Sequence, residues 1–149
     1  MKVVIALGSN LGDSEALLHN AVKSLRDHIS VEALSSFHRT APVGGPEQPD
    51  YLNAVLIGRS DLAPHELLTL LHKIEADAGR QRLEHWGPRT LDLDLIAYGD
   101  VVIDSPALAL PHPRAHERAF VLAPWSEIDP AAELVGKGAI ADLLRQLQV

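Results

Sequence analysis

Two aspartates in an alternating apolar segment are the residues whose types and spacing are best suited to chemistry. Residues 86–95 read Trp-Gly-Pro-Arg-Thr-Leu-Asp-Leu-Asp-Leu, so Asp92 and Asp94 lie two positions apart. Residues two apart in a strand point to the same face, which would place both carboxylates together, about 6–7 Å apart at the backbone. The leucines between and beside them would then face a core.

Carboxylates held this close repel each other unless a cation or a proton lies between them. Mg²⁺ carrying substrate phosphates is the commonest reason for such a pair, because hard divalent ions prefer oxygen ligands. The alternative is a half-exposed edge strand whose outer face is acidic. The basic segment that precedes the strand favours the metal site.

That segment, residues 79–91, contains Arg80, Arg82 and Arg89 within a chain of net charge −7. Guanidinium groups bind phosphate oxygens through planar, bidentate hydrogen bonds, although arginines in a loop can also be merely solvated. A basic loop beside two carboxylates in an acidic protein indicates a site for a small polyanion and its metal. Trp86 in this loop is either a lid over a substrate or an anchor that holds the loop.

Two further segments are candidates for binding. Tyr51 and Asn53 share one face of a predicted strand, where a stacking ring and an amide suit a flat heterocycle. The alternative is a surface tyrosine beside a turn asparagine. Residues 8–12, Gly-Ser-Asn-Leu-Gly, lack the Gly-Lys-Ser/Thr ending of a phosphate-binding loop, so we interpret them as a structural turn.

Composition limits the classes of protein that the chain can be. It has 149 residues, 46% of them hydrophobic and 22% charged, and no cysteine. These values predict one globular domain, residues 1–149, without disulfides or thiolate sites. The negative charge argues against nucleic-acid partners and anionic membranes, and no apolar run is long enough to span a bilayer. Without a signal-peptide pattern at residues 1–5, we expect a cytoplasmic protein.

Periodicity and turn residues predict the elements. Predicted strands cover residues 3–7, 31–40, 51–58 and 92–98. Three helices are predicted: the first is capped by Asp13 or Ser14, the second runs from Pro64 to Gly79, and the third covers residues 140–147. Gly99-Asp100 is predicted to be a hairpin turn into residues 101–103. The order βαββαβ predicts an α+β fold of the ferredoxin-like type, with an antiparallel sheet, helices packed on it and an extra hairpin.

Several motifs together resemble a known family. They are Ser36-Phe37-His38-Arg39-Thr40, Asp50-Tyr51-Leu52-Asn53, residues 86–94, Pro111-His112 and Arg118-Ala119-Phe120. The chain resembles the 6-hydroxymethyl-7,8-dihydropterin pyrophosphokinases from about residue 8 to residue 120. Members of that family transfer pyrophosphate from ATP to a pterin alcohol in folate biosynthesis, giving pterin diphosphate and AMP.

The resemblance implies roles for individual residues. It implies that Asp92 and Asp94 bind two Mg²⁺ ions and that they act in catalysis with Arg82 and Arg89. The implied pterin-binding residues are Thr40, Val43, Tyr51, Asn53, Trp86 and Phe120. The implied ATP-binding residues are Glu75, Arg82, Arg89, Leu95, His112 and Arg118. The partners would be these two small molecules, and the protein would be a monomer.

The residues by themselves leave two other functions open. A nucleotidyltransferase or a phosphoesterase could use the same carboxylate pair, and a ferredoxin-like nucleotide sensor could bind without turnover. The sequence also departs from the family at His72, where glutamine is common, and at His85, where many relatives carry arginine. Both positions concern nucleotide contacts and not the type of reaction.

Overall fold

The computed structural model describes residues 1–10, 13–40, 50–79 and 91–148. An antiparallel sheet forms its frame. The strands are β1 (Lys2–Ser9), β2 (Ser30–Leu34), β3 (His38–Thr40), β4 (Tyr51–Arg59) and β5 (Asp92–Tyr98). Their order is β2-β4-β1-β5, and β3 pairs with β4 beyond the end of β2. β1 and β4 are therefore central, and β5 lies at an edge.

Helices cover both faces of this sheet. They are α1 (Ser14–Arg26), α2 (Pro64–Gly79), α3 (Ala119–Ile128) and α4 (Ile140–Leu147), with a short 3₁₀ turn at Ala115–Glu117 before α3. Asp13 caps α1, where its side chain accepts a hydrogen bond from the backbone N–H of Ala16 at 3.1 Å. Within the described ranges, no helix combines the length and apolar character needed to cross a membrane.

The alternation of side chains along β1 explains why the sheet is covered twice. One face carries Val3, Ile5 and Leu7, which pack with buried leucines of α1 and α2. The other face carries Val4 and Ala6, which lie in a second cluster with residues of α3 and α4. Because both faces are buried, β1 reads in the sequence as a continuous apolar run.

The element order confirms the predicted α+β, ferredoxin-like fold. β1 leads through α1 to β2 and β3, and β4 leads through α2 to β5, so α1 and α2 lie on the same face. Helices α3 and α4 follow this core in the chain and cover the opposite face. Of the helices in the two layers, α3 in this layer is the one that sequence periodicity did not predict.

The prediction of one strand over residues 31–40 was wrong, because Ser35 interrupts it. The Ser35 N–H donates to the Val55 carbonyl at 2.9 Å, and the Val55 N–H donates to Ser35 Oγ, also at 2.9 Å. A side-chain oxygen thus replaces the backbone carbonyl in the ladder. The register with β4 consequently shifts by one residue, from Leu34 opposite Leu56 to His38 opposite Asn53.

The predicted extra hairpin is present after β5, but it is formed by other strands than the sequence predicted. The turn exists, with Gly99 at φ +54° and the Val101 N–H donating to the Tyr98 carbonyl at 3.0 Å. The chain then forms β6 (Ile103–Asp104), which pairs with β7 (Ala109–Leu110) and not with β5. The outer edge of β5 instead bonds to Glu75 and to the backbone of His112.

The prediction for helix 140–147 was confirmed, whereas α3 was not predicted. Pro124 lies inside α3, and a proline normally argues against a helix interior. The helix is also apolar on most sides, with Val121, Leu122 and Trp125 buried, so it lacks the amphipathic period that marks surface helices. Packing against the sheet stabilises it.

Gly58 offers a test of the register between β2 and β4. A Cβ atom at this position would lie 2.7 Å from the backbone oxygen of Ser30 and 3.3 Å from Ile29 Cδ1. We expect Gly58→Ala to lower the free energy of unfolding by roughly 1–3 kcal/mol, because a backbone atom cannot move aside as a side chain can. Urea unfolding measures this change as a lower midpoint with an unchanged m value. An unchanged midpoint would contradict the pairing.

Candidate active site

A pocket of about 460 Å³ lies over the sheet at the N-terminal end of α3, and we call it the sheet pocket. It brings together residues from β1, β3, β4, β5 and α3. Its lining residues are Ala6, Leu7, Gly8, Thr40, Tyr51, Asn53, Asp92, Asp94, Arg118, Ala119 and Phe120. Elements from distant parts of the chain therefore converge on one concave surface.

The register of β1 forms the floor of this pocket. Gly8 lies opposite Asn53 of β4 on one side and opposite Asp92 of β5 on the other. Ala6 is likewise opposite Asp94. Because the central strand presents only small residues here, the larger polar side chains on both sides can lean over it. A Cβ atom on Gly8 would lie 3.1 Å from Asn53 Oδ1, so a larger residue here would require the Asn53 amide to shift.

Asn53 presents a largely buried amide to the sheet pocket, with an exposed fraction of 6%. Its Nδ2 donates to Thr40 Oγ1 at 2.9 Å, which orients the amide. One further N–H and the amide oxygen remain as hydrogen-bonding groups. Tyr51 of β4 and Phe120 of α3 line the same pocket, so an amide and aromatic rings occur together as the sequence predicted.

Both aspartates line the sheet pocket, each with its side chain half-buried. Leu93 and Leu95 are 3% exposed and belong to the core on the other face of the sheet. The predicted alternation is therefore confirmed. Arg118 Nη1 lies 3.6 Å from Asp94 Oδ2, which places a positive charge beside that carboxylate.

The oxygen chemistry of this pair fits Mg²⁺. Within the described parts of the chain, no group of three or more His, Cys, Asp or Glu side chains could hold a metal ion. Asp92 and Asp94 would therefore be its main protein ligands there, with phosphate oxygens and water completing the shell. Mg²⁺ commonly binds in this way, through one or two carboxylates and substrate phosphates.

A second pocket, of about 260 Å³, lies along the outer edge of β5, and we call it the edge pocket. It is lined by Leu68, His72, Glu75, Leu93, Asp94, Leu95, Ser105, Pro106, Ala107, Leu108, Ala109, His112 and Pro113. Asp94 lines both pockets. A ligand in the edge pocket and a ligand in the sheet pocket would therefore meet at this carboxylate.

The surroundings of His112 favour its neutral form. Burial lowers its pKa from the usual value, against the opposing influence of Asp94, and the charges of Arg118 and Arg114 lower it further. The backbone N–H of Arg114 donates to His112 Nδ1 at 3.2 Å. In the neutral ring the proton consequently resides on Nε2, which makes this nitrogen a hydrogen-bond donor.

The structure divides the residues predicted for the site between two pockets, and Asp94 lines both of them. Thr40, Tyr51, Asn53, Asp92, Asp94, Arg118 and Phe120 line the sheet pocket, and Glu75, Leu95 and His112 line the edge pocket. Val43, Arg82, Trp86 and Arg89 lie outside the described residues, as does part of the predicted turn 8–12.

Sequence reasoning missed Gly8 as a site residue. It lies within β1 and contributes to the pocket floor, and not only to a turn. A glycine at the end of an apolar strand was the available signal, since it often marks a close approach of another group.

Glu127, near the end of α3, forms a second polar cluster that the sequence did not reveal. Its Oε2 accepts from the Ser36 N–H at 2.7 Å, and its Oε1 accepts from Ser36 Oγ at 2.6 Å. His38 Nε2 lies 2.7 Å from Oε1. This cluster connects α3 to the segment between β2 and β3 and to β3 itself. Both α3 and β3 contribute residues to the walls of the sheet pocket.

Comparison with known proteins decides the family. The family model described as 7,8-dihydro-6-hydroxymethylpterin-pyrophosphokinase (HPPK) matches residues 4–130. This chain belongs to the HPPK family. The resemblance drawn from the sequence motifs is therefore confirmed, and so is the prediction of an ATP-dependent pyrophosphokinase.

Named relatives support this assignment over most of the chain. The 2-amino-4-hydroxy-6-hydroxymethyldihydropteridine pyrophosphokinase of Bacillus subtilis is 44% identical over 140 residues, which cover 93% of this chain and 84% of the relative. The protein of the same name from Haemophilus influenzae is 41% identical over 144 residues, covering 95% and 90%.

Solved structures support the fold independently. The wild-type HPPK-DHPS of Plasmodium falciparum matches with a TM-score of 0.76 at 11% identity, over 97% of this chain and 44% of that longer chain. At this identity the match shows a common fold. The ferredoxin-like core and its added helices are thus the HPPK architecture.

The Glu127 cluster predicts a pH-dependent contribution to stability. The hydrogen bonds from the Ser36 side chain and backbone, with that from His38, lower the pKa of Glu127 from 4.5 to about 2. Because the folded-state pKa is depressed, the stabilisation is fully present above pH 4.5 and is lost as the pH falls through about 2. We expect Glu127→Gln to be less stable than the wild type at pH 7, with the difference shrinking as the pH falls from 4.5 towards about 2.

Chemical denaturation at several pH values measures this difference. Glu133→Gln is the matched control, since that side chain is exposed and should give no comparable change. A constant difference between Glu127→Gln and the wild type over the whole pH range would rule out a stabilising role for the charge.

Proposed function

We propose that this enzyme transfers the terminal diphosphate of ATP to the hydroxymethyl oxygen of 6-hydroxymethyl-7,8-dihydropterin, with the pterin in the sheet pocket and ATP in the edge pocket. The observation that carries this assignment is Asp94, which lines both pockets. When two substrates meet at one carboxylate, a diphosphate group can pass from one to the other there. The family match supplies the identity of the substrates.

The sheet pocket has the chemistry that a pterin requires. The ring of a pterin is flat, so it can stack on Tyr51 and Phe120, and its amide-like edge can pair with Asn53. Thr40 holds the Asn53 amide in one orientation, which favours one pattern of donors and acceptors. Val43 and Trp86 complete this subsite in the proposal.

We propose that Asp92 and Asp94 bind two Mg²⁺ ions together with the ATP phosphates. When bound, Mg²⁺ neutralises charge that develops on the phosphate oxygens and orients them for in-line attack. The hydroxymethyl oxygen of the pterin forms its bond to the β-phosphorus and loses its proton to water. The bond from that phosphorus to the oxygen shared with the α-phosphate breaks, so that AMP leaves. No side-chain nucleophile takes part, since phosphoryl transfer depends mainly on positioning and charge.

Cationic and neutral donors complete the phosphate site. Arg118 is near Asp94 and can hold phosphate oxygens through its guanidinium group, and Arg82 and Arg89 take the same role in the proposal. The Nε2–H of neutral His112 can donate to an oxygen of the nucleotide. Leu95 supplies an apolar wall of the edge pocket.

We also propose that residues 1–149 form one catalytic domain, which acts as a monomer in the cytoplasm. The described elements of both pockets come from a single chain, so no residue of a second copy is required for the chemistry described. The absence of cysteine is compatible with a reducing compartment.

The products distinguish this reaction from its alternatives. Incubation with Mg²⁺, ATP and 6-hydroxymethyl-7,8-dihydropterin should give AMP and pterin diphosphate in equal amounts, measured by chromatographic separation of the nucleotides. ADP as the nucleotide product would indicate attack at the γ-phosphorus and an ordinary kinase. Turnover that does not depend on the pterin would indicate a nucleotidyltransferase or a phosphoesterase, and binding without turnover would indicate a sensor.

Substitution of the aspartates tests the metal assignment. Asp92→Asn and Asp94→Asn should each lower kcat by at least about a hundredfold, because metal stabilisation of the transition state is worth several kcal/mol. Asp100→Asn makes the same change at an exposed position just after β5 and should leave kcat unchanged. Near-normal turnover by either active-site variant, with the fold intact by circular dichroism, would refute the two-metal proposal.

A further inference from the structure

The strand β5 carries both aspartates, and the contacts along its outer edge help to fix its position. β5 pairs with β1 on one side, and among the strands described it has no partner on the other. An edge strand presents backbone N–H and C=O groups that must find other partners. The residues that bond to this edge therefore influence where Asp92 and Asp94 lie.

Glu75 of α2 makes one of these bonds. Its Oε2 accepts a hydrogen bond from the backbone N–H of Leu93 at 2.8 Å. Leu93 is the residue between Asp92 and Asp94, so the bonded peptide N–H belongs to the segment that connects the two carboxylates. The bond therefore satisfies an edge N–H between the two aspartates with a side-chain oxygen.

A second bond follows along the same edge. The backbone N–H of His112 donates to the Ile96 carbonyl at 2.9 Å. Ile96 lies at the point where the register between β1 and β5 shifts, so pairing with β1 is irregular there. Of these two described bonds, the one from Leu93 to Glu75 is made to a side chain and falls between the two aspartates.

We infer that Glu75 is a positioning residue for the metal site, which acts through the Leu93 backbone and not by touching the metal or by serving mainly as a nucleotide ligand. This inference rests on the proposed role of Asp92 and Asp94. Within the described residues, no set of three acidic or histidine side chains is close enough to hold a metal, so Glu75 is not a third ligand there. A twist of β5 about its axis would displace both carboxylates together.

Three variants of Glu75 separate the possible roles. Glu75→Gln keeps an acceptor oxygen at the same reach, Glu75→Leu removes it, and Glu75→Asp retracts the carboxylate by one methylene. We expect the glutamine variant to resemble the wild type, and the leucine and aspartate variants to share one defect. If the leucine variant fails to fold, the aspartate variant can be compared with the glutamine variant instead.

Glu66 provides a matched control on the same helix. Its Oε1 accepts from the Ala63 N–H at 2.9 Å at the opposite end of α2, away from both pockets. Glu66→Leu therefore removes a carboxylate–backbone bond of the same kind. It should lower stability without altering β5 or the response to Mg²⁺.

The first measurement needs no activity. Amide hydrogen exchange by NMR of the ¹⁵N-labelled protein should show the Leu93 N–H exchanging at least about tenfold faster in the leucine and aspartate variants, and near the wild-type rate in the glutamine variant. Unchanged exchange at Leu93 in all variants would overturn the inference, because the bond would then not hold the strand.

The second measurement is the dependence of turnover on Mg²⁺ at saturating ATP and pterin. The leucine and aspartate variants should need at least about fivefold more Mg²⁺ for half-maximal rate and should have a lower kcat, while KM for ATP at saturating Mg²⁺ stays within about twofold. A higher KM for ATP with an unchanged Mg²⁺ requirement would instead make Glu75 a nucleotide ligand and overturn the inference. Failure of the proposed metal site itself is seen separately, as normal turnover of Asp92→Asn or Asp94→Asn.

Discussion

The pairing of β1 with a strand on each side is the constraint on which the site depends. Because β1 is central, its side chains must be small wherever neighbouring polar groups lean across it, and Gly8 and Ala6 meet this requirement. The same register brings Asn53 from one neighbour and Asp92 from the other to opposite sides of one glycine. A shift by one residue would turn the aspartates into the core, since the side-chain period of a strand is two.

Negative charge is concentrated around β5. Two aspartates face the sheet pocket and Glu75 lies behind the same strand, in a protein of net charge −7. Within the described residues Arg118 is beside Asp94, and its guanidinium group also lies 5.6 Å from the centre of the Phe120 ring. One side chain thus links the carboxylate side of the pocket to the aromatic side.

The elements that form the walls of the sheet pocket are also connected to each other by contacts outside the pocket. Glu127 connects the C-terminal part of α3 to Ser36 and His38, whereas the N-terminal part of α3 carries Phe120. On the outer edge of β5, Glu75 and the backbone of His112 occupy groups that would otherwise pair with another strand. These contacts bring rigid elements to the rim of the site, where small displacements would matter for phosphoryl transfer.

The sequence by itself determined whatever depends on local periodicity or on an uninterrupted motif. The alternation that places Asp92 and Asp94 on one face, the helix over residues 140–147, the βαββαβ order and the family all follow from neighbours in the chain. Only the tertiary structure decided the break at Ser35, the partners of the β5 edge and the existence of α3. Each of these depends on a contact between residues far apart in sequence: Ser35 with Val55, Glu75 with Leu93, and a proline-containing apolar segment with the sheet that covers it. Spacing along a chain describes directions within one element, but it does not specify which distant group will satisfy a hydrogen bond or bury a side chain.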